Sequence, residues 1–292
     1  MKLKKYNRQA RSAFTLIEIM VATVVMLILV GLVVEITFNV LNAWNRASGK
    51  LAANAEARIA MDLLTQDLQT AVFRNNGQQW LRVEGPEDID GLYDSQTVAL
   101  KLFSPALDRD VTSAGDICAI AYRLEYQSSF TGGSRVYALY RSIARPDVTF
   151  NTLLGSSNDL DSPQLTLEQG ASFWDTSTII NTENYLVSNI VDFKILIYLN
   201  DGSNLPMNAD AKSVLSIDYV FGGSDATLNT DGIQEELLYA EIILTVVSDD
   251  GLELLRLLDE GRGGTGYSSP DDVVREHGKQ FNRRVYFPSQ SF

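Results

Sequence analysis

The chain has 292 residues, of which 45% are apolar and 9% aromatic, and this composition is typical of a protein with a packed core rather than a disordered tail. The formal net charge is -13, and the first 13 residues hold five basic and no acidic residues, so the rest carries 19 basic and 37 acidic residues. A surface that acidic repels phosphate backbones, so we do not expect nucleic acid as a partner.

An apolar segment follows the basic start of the chain. It covers residues 14–34 and contains one charged residue, Glu18. As a helix it is long enough to cross a hydrocarbon core of about 30 Å, and it is longer than the apolar region of an ordinary secretory signal peptide. The positive charges ahead of it predict a cytoplasmic amino terminus and an extracytoplasmic remainder.

Glu18 is the unusual residue of this predicted span, because a carboxylate is costly in hydrocarbon and indicates a function with a partner. If the chain is cut between Ala13 and Phe14, a new α-amino group lies close ahead of Glu18. In a bundle of helices, the amine of one subunit could then neutralise the carboxylate of the next and specify their register. The alternative is an uncut signal anchor whose Glu18 reaches back to the interface.

The segment from Ala13 to Glu18, with a basic leader before it and an apolar helix after it, resembles the processing motif of type IV prepilins. The resemblance implies that a membrane prepilin peptidase cuts after Ala13, that the new nitrogen of Phe14 is methylated, and that Glu18 guides assembly. The family usually has Gly where this chain has Ala13, and Ala is the tolerated substitute. The implied partners are other pilins or pseudopilins, an inner-membrane assembly platform and its separate ATPase.

Beyond the span, the helix is predicted to continue as an amphipathic segment over residues 35–76, with a stop supplied by Asn and Gly at residues 75–77. Apolar residues recur there at spacings of three and four. They are Ala53, Ala57, Ala60, Leu64, Leu68 and Val72. The stretch over residues 57–71 also resembles J-type minor pseudopilins of type II secretion and W-type minor pilins.

The remaining residues, 77–292, are predicted to form one extracytoplasmic head of mainly antiparallel strands. The predicted strands cover residues 97–103, 117–126, 135–142, 186–199, 213–221 and 237–248, with an edge strand at 283–287 and a short helix at 269–278. Two segments rich in turn residues, 145–183 and 200–212, are predicted surface excursions.

The expected fold class is therefore α+β and pilin-like, with a long amino-terminal helix packed on a β-rich head. Its predicted parts are the basic leader at residues 1–13, the transmembrane part of the helix at 14–34, the amphipathic part at 35–76 and the head at 77–292.

Catalytic and metal-binding motifs are missing from the sequence. His277 and Cys118 are the single residues of their kinds, and we interpret Cys118 as a buried strand residue and His277 as solvated or capping. We therefore expect no enzyme activity and no cofactor. Acidic residues offer weak calcium candidates without EF-hand spacing. These are Asp159 with Asp161, Asp231 with Glu235, and the pair of Asp249 and Asp250.

Three functional hypotheses follow. The first is a minor pseudopilin or minor pilin, with a type II secretion system favoured over a surface pilus. It would be a single-pass inner-membrane protein with a periplasmic head, or part of a filament after assembly. The second is a filament-displayed adhesin or ligand-binding module that uses the loops at residues 145–183 and 200–212. The third is a signal-anchored periplasmic enzyme.

Overall fold

The structure is a computed structural model of the chain with two compact units, Met1–Ser48 and Gly49–Phe292. It describes residues 15–73, 79–87, 89, 97–106, 115–128, 133, 135–153, 173–200, 204–205, 219–221, 224–225, 230–231, 237–261 and 266–287.

Helix α1 spans Leu16–Gln69. The part in the first unit is strongly apolar, with a mean hydropathy of 2.8 over its most apolar stretch, and its side chains are exposed along its length. Leu27, for example, is 72% exposed. By length and composition this helix can cross a membrane. Of the predicted span, residues 16–34 lie in this apolar part of the helix.

Most described strands of the second unit belong to two antiparallel sheets. The strands of the first sheet are β1 Leu81–Glu87, β2 Thr97–Ser104, β3 Cys118–Ser128, β4 Arg135–Ile143, β5 Tyr185–Ser188 and β8 Tyr219–Phe221. Those of the second are β6 Ile190–Leu199, β7 Asn204–Leu205, β11 Leu237–Val247 and β12 Gly278–Tyr286. The strand order is β5-β4-β3-β2-β1-β8 in the first sheet and β12-β11-β6-β7 in the second. A further pair is β9 Ser224–Asp225 with β10 Thr230–Asp231. The predicted α+β fold class is confirmed.

The main core lies between the two sheets and the carboxyl-terminal part of α1. Because side chains alternate between the faces of a strand, every second residue of β3 and β11 points into this core. The buried set includes Ile120, Tyr122 and Leu124 from β3, Ile242 and Leu244 from β11, and Ala57, Ala60, Leu64 and Leu68 from α1. The predicted apolar stripe of the helix is therefore the face that packs on the head.

A second, smaller core covers the opposite face of the first sheet, and it corrects one prediction. Residues 145–183 were expected to be a surface excursion, yet the described parts fold into short helical segments over this face. They are α2 Pro146–Val148, a π-helical turn Thr149–Leu153, α3 Thr176–Ile179 and a 3-10 turn Thr182–Asn184. Phe173 and Trp174 are buried in the same cluster as Phe103 and Ala121, because this face of the sheet is also apolar and must be covered.

The predicted single strand over residues 186–199 is wrong, because Asn189 divides it. Asn189 has a φ of 64°, in the left-handed region that Asn tolerates better than most residues. Its backbone N–H donates to the carbonyl of Tyr137 in the first sheet, at 2.9 Å, and its carbonyl accepts from the N–H of Val247 in the second, also at 2.9 Å. The chain therefore leaves the first sheet at Ser188 and enters the second at Ile190.

The predicted end of the amino-terminal helix is also wrong. The helix stops at Gln69, short of residue 76, because β2 takes over the hydrogen bonds of the following backbone. The N–H of Val72 donates to the carbonyl of Phe103 at 2.8 Å, and the hydroxyls of Thr70 and Ser104 are 2.6 Å apart. The proposed stop at residues 75–77 lies outside the described residues.

Strand β1 and helix α4, which spans Asp249–Asp259, were also not predicted. The hydroxyl of Ser248 accepts the N–H of Gly251 at 3.3 Å and so caps α4. The predicted carboxyl-terminal helix is confirmed as α5, Pro270–His277, with Ser269 as its cap. The predicted edge strand is confirmed as β12 and begins earlier, at Gly278. Of the predicted strand at residues 213–221, the described part is β8.

Candidate assembly site

Helix α1 begins with a reciprocal cap between Thr15 and Glu18. The N–H of Thr15 donates to Glu18 Oε2 at 2.9 Å, and the hydroxyl of Thr15 donates to the same oxygen at 3.0 Å. In return, the N–H of Glu18 donates to Thr15 Oγ1 at 3.3 Å. This is the capping-box arrangement, in which a carboxylate in the first turn satisfies a backbone donor at the helix start.

The cap places the Glu18 carboxylate at the amino-terminal end of the helix, where the helix dipole favours negative charge. Both of its intramolecular hydrogen bonds go to Oε2, and the side chain is exposed. A cation brought by another molecule can therefore reach the carboxylate without unfolding the helix. Thr15 is the first described residue, so the predicted cleavage pair Ala13 and Phe14 lies outside the described residues.

The apolar residues on both sides of Glu18 form a continuous exposed surface around this part of α1. Leu16, Ile17, Met26 and Leu29 are all more than half exposed. An apolar surface of this size is stable only against lipid or against apolar surfaces of other proteins. The arrangement thus combines a lipid-compatible helix with one accessible carboxylate near its start.

A buried ionic group that was not predicted from the sequence holds the carboxyl-terminal part of α1 on the head. Asp67, Arg141 of β4 and Tyr122 of β3 lie together in the main core. Burial and the neighbouring carboxylate of Asp67 raise the pKa of Tyr122 well above its usual value. One signal could have found this group, because Asp67 lies on the apolar stripe, three residues after Leu64.

The head has a cavity of about 290 Å³ beside the helical segments that cover the first sheet. Its lining includes Ser142, Arg145, Phe173, Thr178, Asn181 and Asn184. The Asn184 amide donates to the carbonyl of Thr178 at 2.9 Å, so it also holds α3 in place. Four of these six residues, Arg145, Phe173, Thr178 and Asn181, fall within the segment 145–183 that was predicted to offer a binding surface.

The other candidate residues do not form a site in the part of the chain that the structure describes. Cys118 is buried in β3, as predicted, and His277 at the end of α5 has its Nε2 3.0 Å from the hydroxyl of Tyr267. Asp249 accepts a hydrogen bond from the amide of Asn189 at 2.6 Å. No group of three metal-ligand side chains occurs among the described residues.

The calcium candidates Asp159, Asp161 and Glu235 lie outside the described residues, as does the side chain of Asp231.

These features define an α+β protein with an exposed apolar helix at its amino terminus, suited to membrane anchorage. Residues 8–34 match a family model described as the prokaryotic N-terminal methylation motif, so the chain carries a prepilin-type amino terminus. No curated protein matches the chain. Among solved structures, a type IV-like pilin from Thermus thermophilus is similar at 10% identity and a TM-score of 0.37, over 80% of this chain and 96% of that one.

Proposed function

We propose that the protein is a structural subunit of a type IV pilus-like filament, a minor pseudopilin or minor pilin. The observation that carries this proposal is the match of residues 8–34 to the N-terminal methylation motif, continued by an exposed apolar helix with Glu18 near its start. Prepilin peptidase cuts after Ala13, and Phe14 becomes the methylated terminus. After cleavage the chain remains anchored in the inner membrane with its head in the periplasm.

Assembly brings the amino group of Phe14 of one subunit to the Glu18 carboxylate of the next. An ion pair in a low-dielectric bundle is far stronger than the same pair in water, and an unpaired carboxylate there is costly. Correct register is therefore favoured over a slipped one. The protein itself acts as a building block and not as an enzyme, so an assembly platform and a separate ATPase supply the energy.

Among filament systems we propose type II secretion. The support is the likeness of residues 57–71 to J-type minor pseudopilins, a segment that also resembles W-type minor pilins. Deletion of the gene distinguishes the two systems. Loss of exoprotein secretion with normal surface pili supports type II secretion, and the reverse pattern supports a surface pilus.

The experiment that tests the assembly role compares two carboxylates on the same helix. We expect Glu18→Gln to be cleaved normally and to be recovered in filaments several-fold less than the wild type, because the amide cannot neutralise the amino group. Glu35→Gln is the matched control, since Glu35 is also exposed on α1 and we expect it to assemble normally. Equal incorporation of both variants would contradict the role of Glu18.

A second candidate function, display of a ligand-binding head, is favoured by one observation. The cavity beside α3 is roughly the size of a small-molecule site, and polar and aromatic side chains line it. Purified full-length protein can be screened against glycans and small metabolites. Binding that Thr178→Trp abolishes supports this function, and absence of binding leaves the structural role alone.

A further inference from the structure

Strand β12 lies at the edge of the second sheet. It pairs with β11 over its whole length, from Gly278 opposite Val247 to Tyr286 opposite Tyr239, without a bulge. β12 is the outermost strand of this sheet, and among the described residues no strand pairs with its other side. A regular edge strand of this length is a template for a further strand.

The backbone groups of β12 that point away from β11 can be assigned. The N–H of Phe287 donates to the carbonyl of Leu238, so this position faces β11. Because backbone groups alternate along an antiparallel strand, the N–H and C=O groups of Gln280, Asn282, Arg284 and Tyr286 face the open edge. All four residues are exposed. The edge thus offers a row of accessible donors and acceptors.

The charge of this edge is opposite to that of the chain. β12 contains Lys279, Arg283 and Arg284 and no acidic residue, whereas the chain carries a net charge of -13. Arg283 is held by Asp62 of α1 at 2.5 Å. The Nε of Arg284 is 3.8 Å from Oε1 of Glu241, and 57% of the Arg284 side chain is exposed. Lys279 is also exposed, and it lines a small cavity together with Lys50 and one acidic residue, Glu276.

The sheet face beside this edge carries a row of tyrosines. Tyr198 and Tyr239 stack with ring centroids 4.3 Å apart, and Tyr286 continues the row at 5.6 Å from Tyr239. Tyr286 is 63% exposed, and the guanidinium of Arg284 lies 5.3 Å from the Tyr239 ring. Tyr and Arg are among the residues enriched at the energetic hot spots of protein–protein interfaces. The face is therefore suited to contact with protein.

We propose that β12 is the docking edge for an extended acidic segment of a partner protein, which adds to the second sheet as an antiparallel strand. Backbone hydrogen bonds supply affinity in this mode, and the side chains of alternate residues supply selectivity. An acidic residue opposite Arg284 and an aromatic residue opposite Tyr286 would continue the cross-strand rows. A second copy of β12 is the disfavoured occupant, because its basic residues would face like charges.

The proposal does not depend on cleavage at Ala13 or on filament assembly, so it can fail while the proposed function stands. The test uses the full chain in detergent micelles and synthetic peptides of nine residues, the length of β12. One peptide has Glu and Tyr two residues apart with Val between them, so that Glu can lie opposite Arg284 while Tyr lies opposite Tyr286, and a second has Lys in place of Glu. A third is the acidic peptide with alternate backbone nitrogens methylated, and fluorescence anisotropy measures the dissociation constants.

We expect the acidic peptide to bind at least about tenfold more tightly than the other two, a change typical of lost charge complementarity or lost strand pairing. Arg284→Glu should remove the preference for the acidic peptide over the Lys peptide. Arg275→Glu is the matched control, because it makes the same charge change on α5 at a residue with a 77% exposed side chain, and it should bind like the wild type.

Equal affinity for the acidic and Lys peptides, or for the methylated peptide, would overturn the proposal. An absence of measurable binding would also overturn it, and the basic residues of β12 would then serve to prevent edge-to-edge aggregation. Self-association of the full chain that Arg284→Glu changes would assign the edge to a second copy instead.

Discussion

Arg141 of β4 donates two hydrogen bonds to the carboxylate of Asp67 in α1, from Nε to Oδ2 at 2.9 Å and from Nη2 to Oδ1 at 3.1 Å. The hydroxyl of Tyr122 donates a third bond to Oδ2 at 2.5 Å. Both charged side chains are at most 4% exposed, so the pair is enclosed in the core. A buried bidentate ion pair of this kind fixes the position of the helix on the sheet.

Asp67→Asn leaves the buried guanidinium of Arg141 without a counter-charge. We expect it to lower the free energy of unfolding by about 3 kcal/mol, because breaking a buried pair on one side is costly. Urea unfolding of the full chain in detergent, followed by the fluorescence of the buried Trp80 and Trp174, measures this loss.

The matched control for Asp67 is Asp62 on the same helix, whose side chain is 67% exposed in its ion pair with Arg283. Asp62→Asn should cost less than about 1 kcal/mol, as exposed pairs do. The double replacement Asp67→Leu with Arg141→Met should recover part of the loss, because apolar residues can replace a buried pair. A larger effect at Asp62 than at Asp67 would contradict this account of helix docking.

The raised pKa of Tyr122 predicts a loss of stability in alkali. Below the usual tyrosine pKa of about 10, the phenol is protonated in both states and the contribution is constant. Above that pH the unfolded chain loses the proton first, so the free energy of unfolding falls as pH rises toward the folded-state pKa.

Tyr122→Phe should remove part of this alkaline loss, although Tyr126, Tyr140 and Tyr219 also have raised pKa values from burial. For Tyr219 the pKa is raised to about 12. The measurement is the free energy of unfolding from about pH 8 to 11, around the reference tyrosine pKa, for both proteins. If the free energy of unfolding falls equally with pH in both proteins over this range, the assigned contribution of Tyr122 is contradicted.

Asn189 is the residue at which the chain passes from the first sheet to the second. Asn189→Gly and Asn189→Ala both remove the amide that donates to Asp249, but only Ala must hold a side chain at a φ of 64°. We therefore expect the Ala variant to be less stable than the Gly variant by about 1 kcal/mol. Thermal unfolding of the two variants compares them directly, and an Ala variant as stable as Gly would contradict the assigned backbone strain.

Much of the fold followed from periodicity. The spacing of Ala53, Ala57 and Leu64 predicted the buried face of α1, and runs of apolar and β-branched residues predicted β2, β3, β4 and β11. The pattern did not predict the break at Asn189, because the strands on both sides are equally apolar and the change of sheet depends on tertiary hydrogen bonds. The early end of α1 also depends on tertiary hydrogen bonds, because the N–H of Val72 and the hydroxyl of Thr70 bond to residues of β2.

The amino-terminal candidate could be predicted because its signal is local. A basic leader, an apolar helix and one carboxylate are adjacent in the sequence, and the family model matches the same region. The edge strand was predicted in part, at residues 283–287, but its ion pair with α1 and the Asp67 group were not, because each combines residues far apart in the chain. Arg283 meets Asp62, and Arg141 meets Asp67, only after the sheets have formed.

The central claim is that the chain is processed as a prepilin, and the amino-terminal residue of the protein purified from its own membranes tests it most directly. Mass spectrometry should find a terminus at Phe14 that carries one additional methyl group. An intact amino terminus that begins at Met1 would contradict the claim and leave an uncut signal anchor with a head of another function.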